Sequence, residues 1–107
     1  MSGYKEIDAD ELHAILATGK VVLVDVRSDA EAAGGIIRGA QHIPLSLLPV
    51  KMSELVGDEP LVFYCHSGIR SAQACGFMNS NGRDQVFNLR GGILAWGKAG
   101  HPLASKS

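Results

Sequence analysis

The chain has few of the features that mark secreted, membrane or metal-binding proteins. It contains two cysteines, Cys65 and Cys75, in 107 residues, without the number or spacing of a disulfide framework or a zinc site. No apolar run approaches the ~18 residues of a membrane span. The start, Met1 to Asp8, is polar where a secretory signal needs an apolar stretch. We therefore expect a cytoplasmic protein that does not use a membrane.

An excess of one sign of charge is also missing. The formal net charge is −1, and the ten Lys and Arg residues are scattered along the chain. A nucleic-acid binder would be expected to concentrate basic residues on one face, so we expect no nucleic-acid partner. His13, His42 and His101 are too far apart in the sequence to suggest a metal site, and we expect no metal and no other cofactor.

The overall composition is that of one ordinary globular domain. Hydrophobic residues make up 46% and charged residues 20% of the chain, and 107 residues fit one domain. There is no internal repeat, linker or low-complexity segment. We predict a single domain over 1–107 with its core at about 4–103, and a loose tail from Ala104 to Ser107.

Apolar runs alternate with helical patterns. The runs at 21–26, Leu61–Tyr64 and 85–89 predict strands that are buried on both faces, as in parallel sheets. A sheet of such strands with helices between them is an α/β domain with mostly parallel strands. Five helices are predicted. The first begins at a cap formed by Asp8 and Glu11 and ends at Gly19. The others are 28–33, 46–56 (broken by Pro49), 71–79 and Gly92–Lys98.

The most informative segment follows the second predicted strand. Cys65 stands at the carboxyl end of that strand, which is where ligands bind in open α/β sheets. A short loop containing Gly68 follows, and a helix begins near Ser71. Backbone N–H groups in such a loop, together with the helix dipole, form a cradle for an anion and lower the pKa of a thiol. Arg70 adds a positive charge at the rim.

Each cysteine also has a purely structural interpretation. A free cysteine in a globular protein is more often a small buried residue than a nucleophile. The strand, glycine loop and helix around Cys65 favour the nucleophile there. Cys75 lies in the middle of a predicted helix, and we interpret it as a core residue without a redox role.

Three motifs together resemble the rhodanese-type sulfurtransferases. Segment 65–71, Cys-His-Ser-Gly-Ile-Arg-Ser, is similar to the family's Cys-x-x-Gly-x-Arg-Ser loop. Segments 24–27 and 35–45, with Glu31 between them, are similar to its first signature, although Gly35 stands where the family commonly has His. Segments 88–96 and 99–102 resemble its Gly-Gly-Ile-x-x-Trp signature. The likeness spans about 4–103.

The resemblance implies a rhodanese-like fold, with a mostly parallel five-stranded sheet and helices on both faces. It also implies a thiosulfate sulfurtransferase in which Cys65 carries sulfur as a persulfide. The donor is then thiosulfate or another persulfide, and the acceptor is cyanide, a thiol or a protein. The residues expected to hold the donor and the persulfide are His66, Ser67, Gly68, Ile69, Arg70 and Ser71, with Arg70 docking an anionic donor.

Other prominent residues have structural interpretations. We expect Asp25 and Arg27 to hold loops by hydrogen bonds and Trp96 to seal the core. We expect the side chain of His66 to point outward, as loop side chains beside a cradled residue tend to do. We do not expect it to act as a general base, because a cradled thiolate needs none.

Three alternative functions are distinguishable. Cysteine-based phosphatases and arsenate reductases also place Cys in a loop that ends at Arg-Ser, but they have five residues between Cys and Arg. This chain has four, between Cys65 and Arg70. The sixth residue after Cys65, where the longer loop has its arginine, is Ser71, which cannot make the bidentate contacts of an arginine to phosphate. An inactive docking domain would be expected to lack the cysteine. A persulfide carrier with slow turnover of free thiosulfate remains open.

Overall fold

A computed structural model describes residues 3–106 of the chain, while Met1, Ser2 and Ser107 lie outside the described residues. The strands are β1 (Lys5–Ile7), β2 (Val22–Asp25), β3 (Gln41–His42), β4 (Leu61–Tyr64) and β5 (Val86–Leu89). They pair in parallel as one sheet in the order β1-β5-β4-β2-β3. The helices are α1 (Ala9–Leu16), α2 (Asp29–Ala33), α3 (Leu48–Lys51), α4 (Ile69–Ser80) and α5 (Gly92–Lys98).

The predicted α/β class and five-stranded parallel sheet are confirmed. The three apolar runs form the three central strands, and β4, in the middle, is buried at every residue. The edge strands β1 and β3 were not located individually from the sequence. They have three and two residues, too short to show an alternating or continuous apolar pattern.

Helices cover both faces of the sheet. On one face, Leu48, Leu55 and Met78 pack with the side chains of β2 and β4 in one buried cluster. On the other face, Leu12 from α1 and Trp96 from α5 belong to a second cluster. Both faces of the central strands are therefore removed from water, which explains their continuous apolar sequence.

Capping boxes begin two of the helices, and the one at Asp8 was predicted from the sequence. The Asp8 side chain accepts a hydrogen bond from the Glu11 N–H at 2.8 Å, and Glu11 accepts one from the Asp8 N–H at 2.9 Å. Ser28 and Glu31 make the same reciprocal pair at the start of α2. Since α2 has only five residues, this cap supplies a large share of its local order.

Two sequence predictions are corrected. Pro49 does not break the segment 46–56, because it lies in the first turn of α3, where the missing N–H has no helical partner to lose. Short 3₁₀ turns, Leu45–Leu47 and Met52–Leu55, extend it at both ends. Helix α4 begins at Ile69, two residues before the predicted start at Ser71.

The predicted loose tail is also wrong at its first residue. Ala104 forms an antiparallel bridge with Ile36, with N–O distances of 2.8 and 2.7 Å. Nearby, the Trp96 indole donates to the Pro102 carbonyl at 2.9 Å. Ala104 is thereby tied to the segment that follows α2, while Ser107 lies outside the described residues. No helix within residues 3–106 is long and apolar enough to cross a membrane.

Candidate active site around Cys65

The Cys65 sulfur lies in a cradle of hydrogen-bond donors at the carboxyl end of β4. Its Sγ accepts from the Gly68 N–H at 3.1 Å and from the Ser71 N–H at 3.4 Å, and the Ser71 hydroxyl lies at 3.4 Å. Gly68 has φ +110°, a conformation that favours glycine, and this turn aims the loop amides at the sulfur. Gly68 and Ser71, two of the six loop residues named from the sequence, thus contact the sulfur.

The cradle favours the ionised thiol. Burial opposes ionisation of Cys65, which is 1% exposed. The hydrogen bonds from the Ser71 hydroxyl and from the N–H groups of Ser71 and Gly68 outweigh that burial and lower the pKa of the Cys65 thiol below its ordinary value. A thiolate is the nucleophilic form of cysteine, so the site is suited to attack on an electrophilic sulfur.

Gly92 allows a second element to brace the loop. It has φ +62°, and a Cβ there would lie 2.4 Å from the His66 carbonyl oxygen and 2.6 Å from that of Cys65. Without a Cβ, the start of α5 comes close enough for the Ile93 and Leu94 N–H groups to donate to the Cys65 and His66 carbonyls at 2.9 and 3.2 Å. With the carbonyls held outward by α5, the loop N–H groups face the sulfur. The sequence analysis missed this role, although the adjacent Gly91 and Gly92 signal a special backbone.

The charge of Arg70 is paired, which the sequence analysis did not predict. Its guanidinium donates to both carboxylate oxygens of Glu31, at 2.7 and 2.9 Å. The Arg70 side chain is 38% exposed and that of Glu31 33% exposed, so the pair lies at the rim of the site. The bond from Arg70 is the main reason that the pKa of Glu31 is held well below its usual range. The Arg70 guanidinium is therefore already bonded to a carboxylate when an anionic donor approaches it.

The remaining loop residues face solvent. His66, Ser67 and Ile69 are exposed, and Ile69 is the most open of the larger apolar side chains near the cysteine, at 72%. The exposed His66 agrees with the prediction that its side chain points outward. The residues predicted to form the site thus divide into an inner set that touches the sulfur and an outer set available to an incoming molecule.

Asp25, Arg27 and Trp96 have the structural roles that were predicted. Arg27 and Asp25 form a buried pair at 2.7 Å, and Arg27 also donates to the Gly35 carbonyl at 2.7 Å. The Tyr64 hydroxyl accepts from the Ile37 N–H at 3.0 Å. These bonds fix the chain that follows β2 next to the end of β4. Trp96 is buried.

A buried polar chain behind the cradle was not predicted. The Ser71 hydroxyl donates to Asn88 Oδ1, and Asn88 Nδ2 donates to Glu6 Oε2 at 2.9 Å and to the Gly68 carbonyl at 3.2 Å. Ser71 is fully buried and Asn88 is 4% exposed. A polar residue inside the otherwise apolar strand β5 is the signal that could have pointed to it.

Cys75, His13 and His101 lie outside this site. Cys75 is fully buried in the core, and its burial raises the pKa of its thiol. His13 and His101, far apart in sequence, stack with ring centroids 4.3 Å apart, and His101 contacts Asp10 at 2.8 Å. Within residues 3–106, no group of three or more His, Cys, Asp or Glu side chains is placed to hold a metal ion.

Comparisons with known proteins identify the family of this chain. The family model of the rhodanese-like domain matches residues 8–99. A sulfurtransferase of Allochromatium vinosum is 46% identical over 101 residues, covering 94% of each chain. The human thiosulfate:glutathione sulfurtransferase is 36% identical, covering 90% of this chain and 96% of its own. The crystal structure of a rhodanese-related protein from Thermoplasma volcanium superposes with a TM-score of 0.87 at 31% identity, over 94% of this chain and 98% of the other.

The match covers most of the chain, the five-stranded sheet agrees with that of solved relatives, and the cysteine loop lies within the matched residues. This chain therefore belongs to the rhodanese-like domain family.

Proposed function

We propose that the protein is a sulfurtransferase in which the Cys65 thiolate takes sulfane sulfur from thiosulfate or another persulfide donor and passes it to a thiophilic acceptor. The observation that carries the proposal is the set of three donor contacts to Cys65 Sγ, from the Gly68 N–H and from the N–H and hydroxyl of Ser71. Family membership and the sulfurtransferase names of relatives support the reaction class.

Sulfur transfer then takes place in two displacements. The Cys65 thiolate attacks the outer sulfur of thiosulfate, a new S–S bond forms, and the S–S bond of thiosulfate breaks with departure of sulfite. The product is a persulfide whose negative charge lies on the outer sulfur. An acceptor nucleophile attacks that outer sulfur, takes it away, and leaves the Cys65 thiolate for the next cycle.

The acceptor class is cyanide, a small thiol or a cysteine of a partner protein. The name of the human relative, which pairs thiosulfate with glutathione, makes these two compounds the first donor and acceptor to test. The exposed rim residues His66, Ser67 and Ile69 are placed to meet the acceptor. Arg70 is placed to meet an anionic donor once its bond to Glu31 is exchanged.

The loop length supports sulfur rather than phosphate as the transferred group. Four residues separate Cys65 from Arg70, so fewer N–H groups close the cradle than a tetrahedral oxyanion needs. The Arg70 guanidinium already bonds both carboxylate oxygens of Glu31, so in this arrangement it does not hold two oxyanion oxygens above the sulfur.

Intact mass spectrometry tests the proposal. Reduced protein treated with thiosulfate and freed of excess reagent is expected to gain the mass of one sulfur atom, and to lose it again on addition of cyanide or glutathione. Cys75→Ser is the matched control, because it removes the other thiol, in the middle of α4, without touching the cradle donors, and it should still load. A gain that persists in Cys65→Ser, or no gain in the wild type with any donor, contradicts the proposal. If the protein is loaded by a persulfidated protein but turns over thiosulfate slowly, it is a persulfide carrier that uses the same chemistry.

A further inference from the structure

The orientation of the Asn88 amide is determined by its neighbours. Asn88 lies in β5 opposite Glu6 of β1 and Phe63 of β4. Its Nδ2 is 2.9 Å from a Glu6 carboxylate oxygen and 3.2 Å from the Gly68 carbonyl oxygen. A carboxylate and a carbonyl only accept hydrogen bonds, so the amide nitrogen has to face them. The amide oxygen is left to face Ser71 and to accept its proton.

The Ser71 hydroxyl therefore has two acceptors and one proton. One acceptor is Asn88 Oδ1, and the other is Cys65 Sγ at 3.4 Å. The other cradle donors to the sulfur, the N–H groups of Gly68 and Ser71, are held by the backbone and cannot turn away. Among these donors the hydroxyl is the one that can rotate, and it can favour either the sulfur or Asn88.

The charge on Sγ decides which acceptor is preferred. In the free thiolate Sγ carries a full negative charge, and a hydrogen bond to a charged acceptor is roughly twice as strong as one to a neutral acceptor. In the persulfide the charge has moved to the outer sulfur and Sγ is a neutral, weak acceptor. The hydroxyl is thus drawn to Sγ in the thiolate and to Asn88 in the persulfide.

We propose that Asn88 is a positioning residue that competes with Cys65 for the Ser71 proton and thereby favours the sulfur-loaded form of the protein over the free thiolate. In the loaded form every member of the buried chain is paired. In the free thiolate, the Ser71 hydroxyl either leaves Asn88 Oδ1 without a donor or leaves the charged sulfur with its two N–H donors alone, and an unpaired buried polar atom is costly. This inference rests on the proposed persulfide chemistry at Cys65.

The balance between the free thiolate and the sulfur-loaded form is the equilibrium constant of one reaction, in which thiosulfate and the protein thiolate give sulfite and the protein persulfide. One S–S bond forms and one breaks, and the total charge is the same on both sides. Mixtures with different ratios of thiosulfate to sulfite are quenched, and the loaded fraction is read by intact mass. Asn88→Leu is expected to shift the equilibrium constant about fivefold to tenfold toward the thiolate, because it removes an acceptor that is used mainly in the loaded form. Asn88→Ala should shift it in the same direction.

A Ser71→Ala background separates this role from a structural one. Without the hydroxyl there is no proton to share, so Asn88→Leu should leave the equilibrium constant within about twofold of Ser71→Ala alone. An equal shift in both backgrounds overturns the proposal, because Asn88 would then act through the Gly68 carbonyl. The rate of Cys65 alkylation against pH is a second readout. Its midpoint should fall in Asn88→Leu and be unaffected by that change in Ser71→Ala.

A measurement on the wild type does not depend on how the variants fold. The side-chain ¹³Cγ resonance of Asn88 should move as Cys65 ionises, and should return toward its thiol position when thiosulfate loads the thiolate. If the Asn88 resonance shifts neither on ionisation of Cys65 nor on loading with thiosulfate, the proposal is overturned. Failure of the wild type to load sulfur at all would instead contradict the proposed function itself, while loading with an unchanged equilibrium constant in Asn88→Leu would contradict only the role of Asn88.

Discussion

We expect Glu31 to limit how strongly Arg70 binds an anionic donor, and Glu31→Gln tests this expectation with little change elsewhere. Glu31 Oε1 accepts from the Ser28 N–H at 3.0 Å in the cap of α2. Gln at the third helical position serves the same cap, since it keeps an oxygen acceptor. The substitution therefore removes the negative charge opposite Arg70 and retains the local structure.

The expected effect has two parts. Repulsion between the Glu31 carboxylate and a dianion held by Arg70, at about 6 Å in a medium close to water, is about 1.4 kcal/mol before screening, and salt reduces it further. The Arg70–Glu31 bond that the donor has to exchange is worth about 0.2–1 kcal/mol, as for other partly exposed pairs. Together these give about 1–1.4 kcal/mol under physiological salt, or a fivefold to tenfold tighter donor complex.

Steady-state kinetics with thiosulfate and a saturating acceptor measures the effect. Glu31→Gln is expected to lower KM for thiosulfate about fivefold to tenfold and to change kcat less than twofold, because Arg70 contributes uniform binding. Arg70→Ala should raise KM. In the Arg70→Ala background, Glu31→Gln should lower KM only by the part that comes from repulsion between Glu31 and the donor. The difference between its effects on KM in the two backgrounds measures the contribution of the Arg70–Glu31 bond.

An unchanged or raised KM in Glu31→Gln, with the unfolding temperature near that of the wild type, would refute this reasoning. The pair would then serve only to connect α2 with α4, and the anionic donor would be bound by the backbone cradle alone. Raising the salt concentration should weaken donor binding more in Glu31→Gln than in the wild type, because the uncompensated charge of Arg70 is more sensitive to screening.

Three further predictions follow from the geometry around the sulfur. Alkylation of Cys65 should titrate with a midpoint below the ordinary thiol value of about 8.5. Because the pKa of the Cys65 thiol is lower in the folded protein, the unfolded chain binds more protons between the two pKa values, and the free energy of unfolding should rise with pH in that range. This contribution is lost as pH falls through the lower pKa, and Cys65→Ser should remove the dependence. Gly92→Ala should destabilise the protein by about 2–4 kcal/mol and impair sulfur loading, since a left-handed backbone and a clash with the His66 carbonyl coincide there; unfolding temperature and loaded fraction measure this, and an unaffected protein would show that α5 does not brace the loop. Inserting a glycine after Gly68 should reduce sulfur transfer and introduce inhibition by phosphate or arsenate, since a wider ring of N–H groups fits a tetrahedral oxyanion; phosphoester hydrolysis by the unaltered protein, without persulfide, would contradict the loop-length reasoning.

Features encoded by neighbouring residues were predictable from the sequence. The central strands are continuous apolar runs, and the capping pairs of α1 and α2 are three residues apart. The cradle depends on a strand end, a glycine and a helix start within seven residues, 65–71. These patterns depend on backbone geometry over one or two turns, so the order of residues was enough to place Cys65 as the candidate nucleophile and to predict the fold class.

Edge strands and pairings between distant segments were decided only by the tertiary structure. β1 and β3 are strands because neighbouring strands offer them hydrogen bonds, and Ala104 is ordered because Ile36 lies beside it. Arg70 and Glu31 are 39 positions apart, and Ser71 and Asn88 are 17 apart. No local propensity fixes such distances, because they result from how the helices pack on the sheet. The sequence by itself thus determined which residue is the candidate nucleophile, and packing determined which groups share its proton donors and its neighbouring charge.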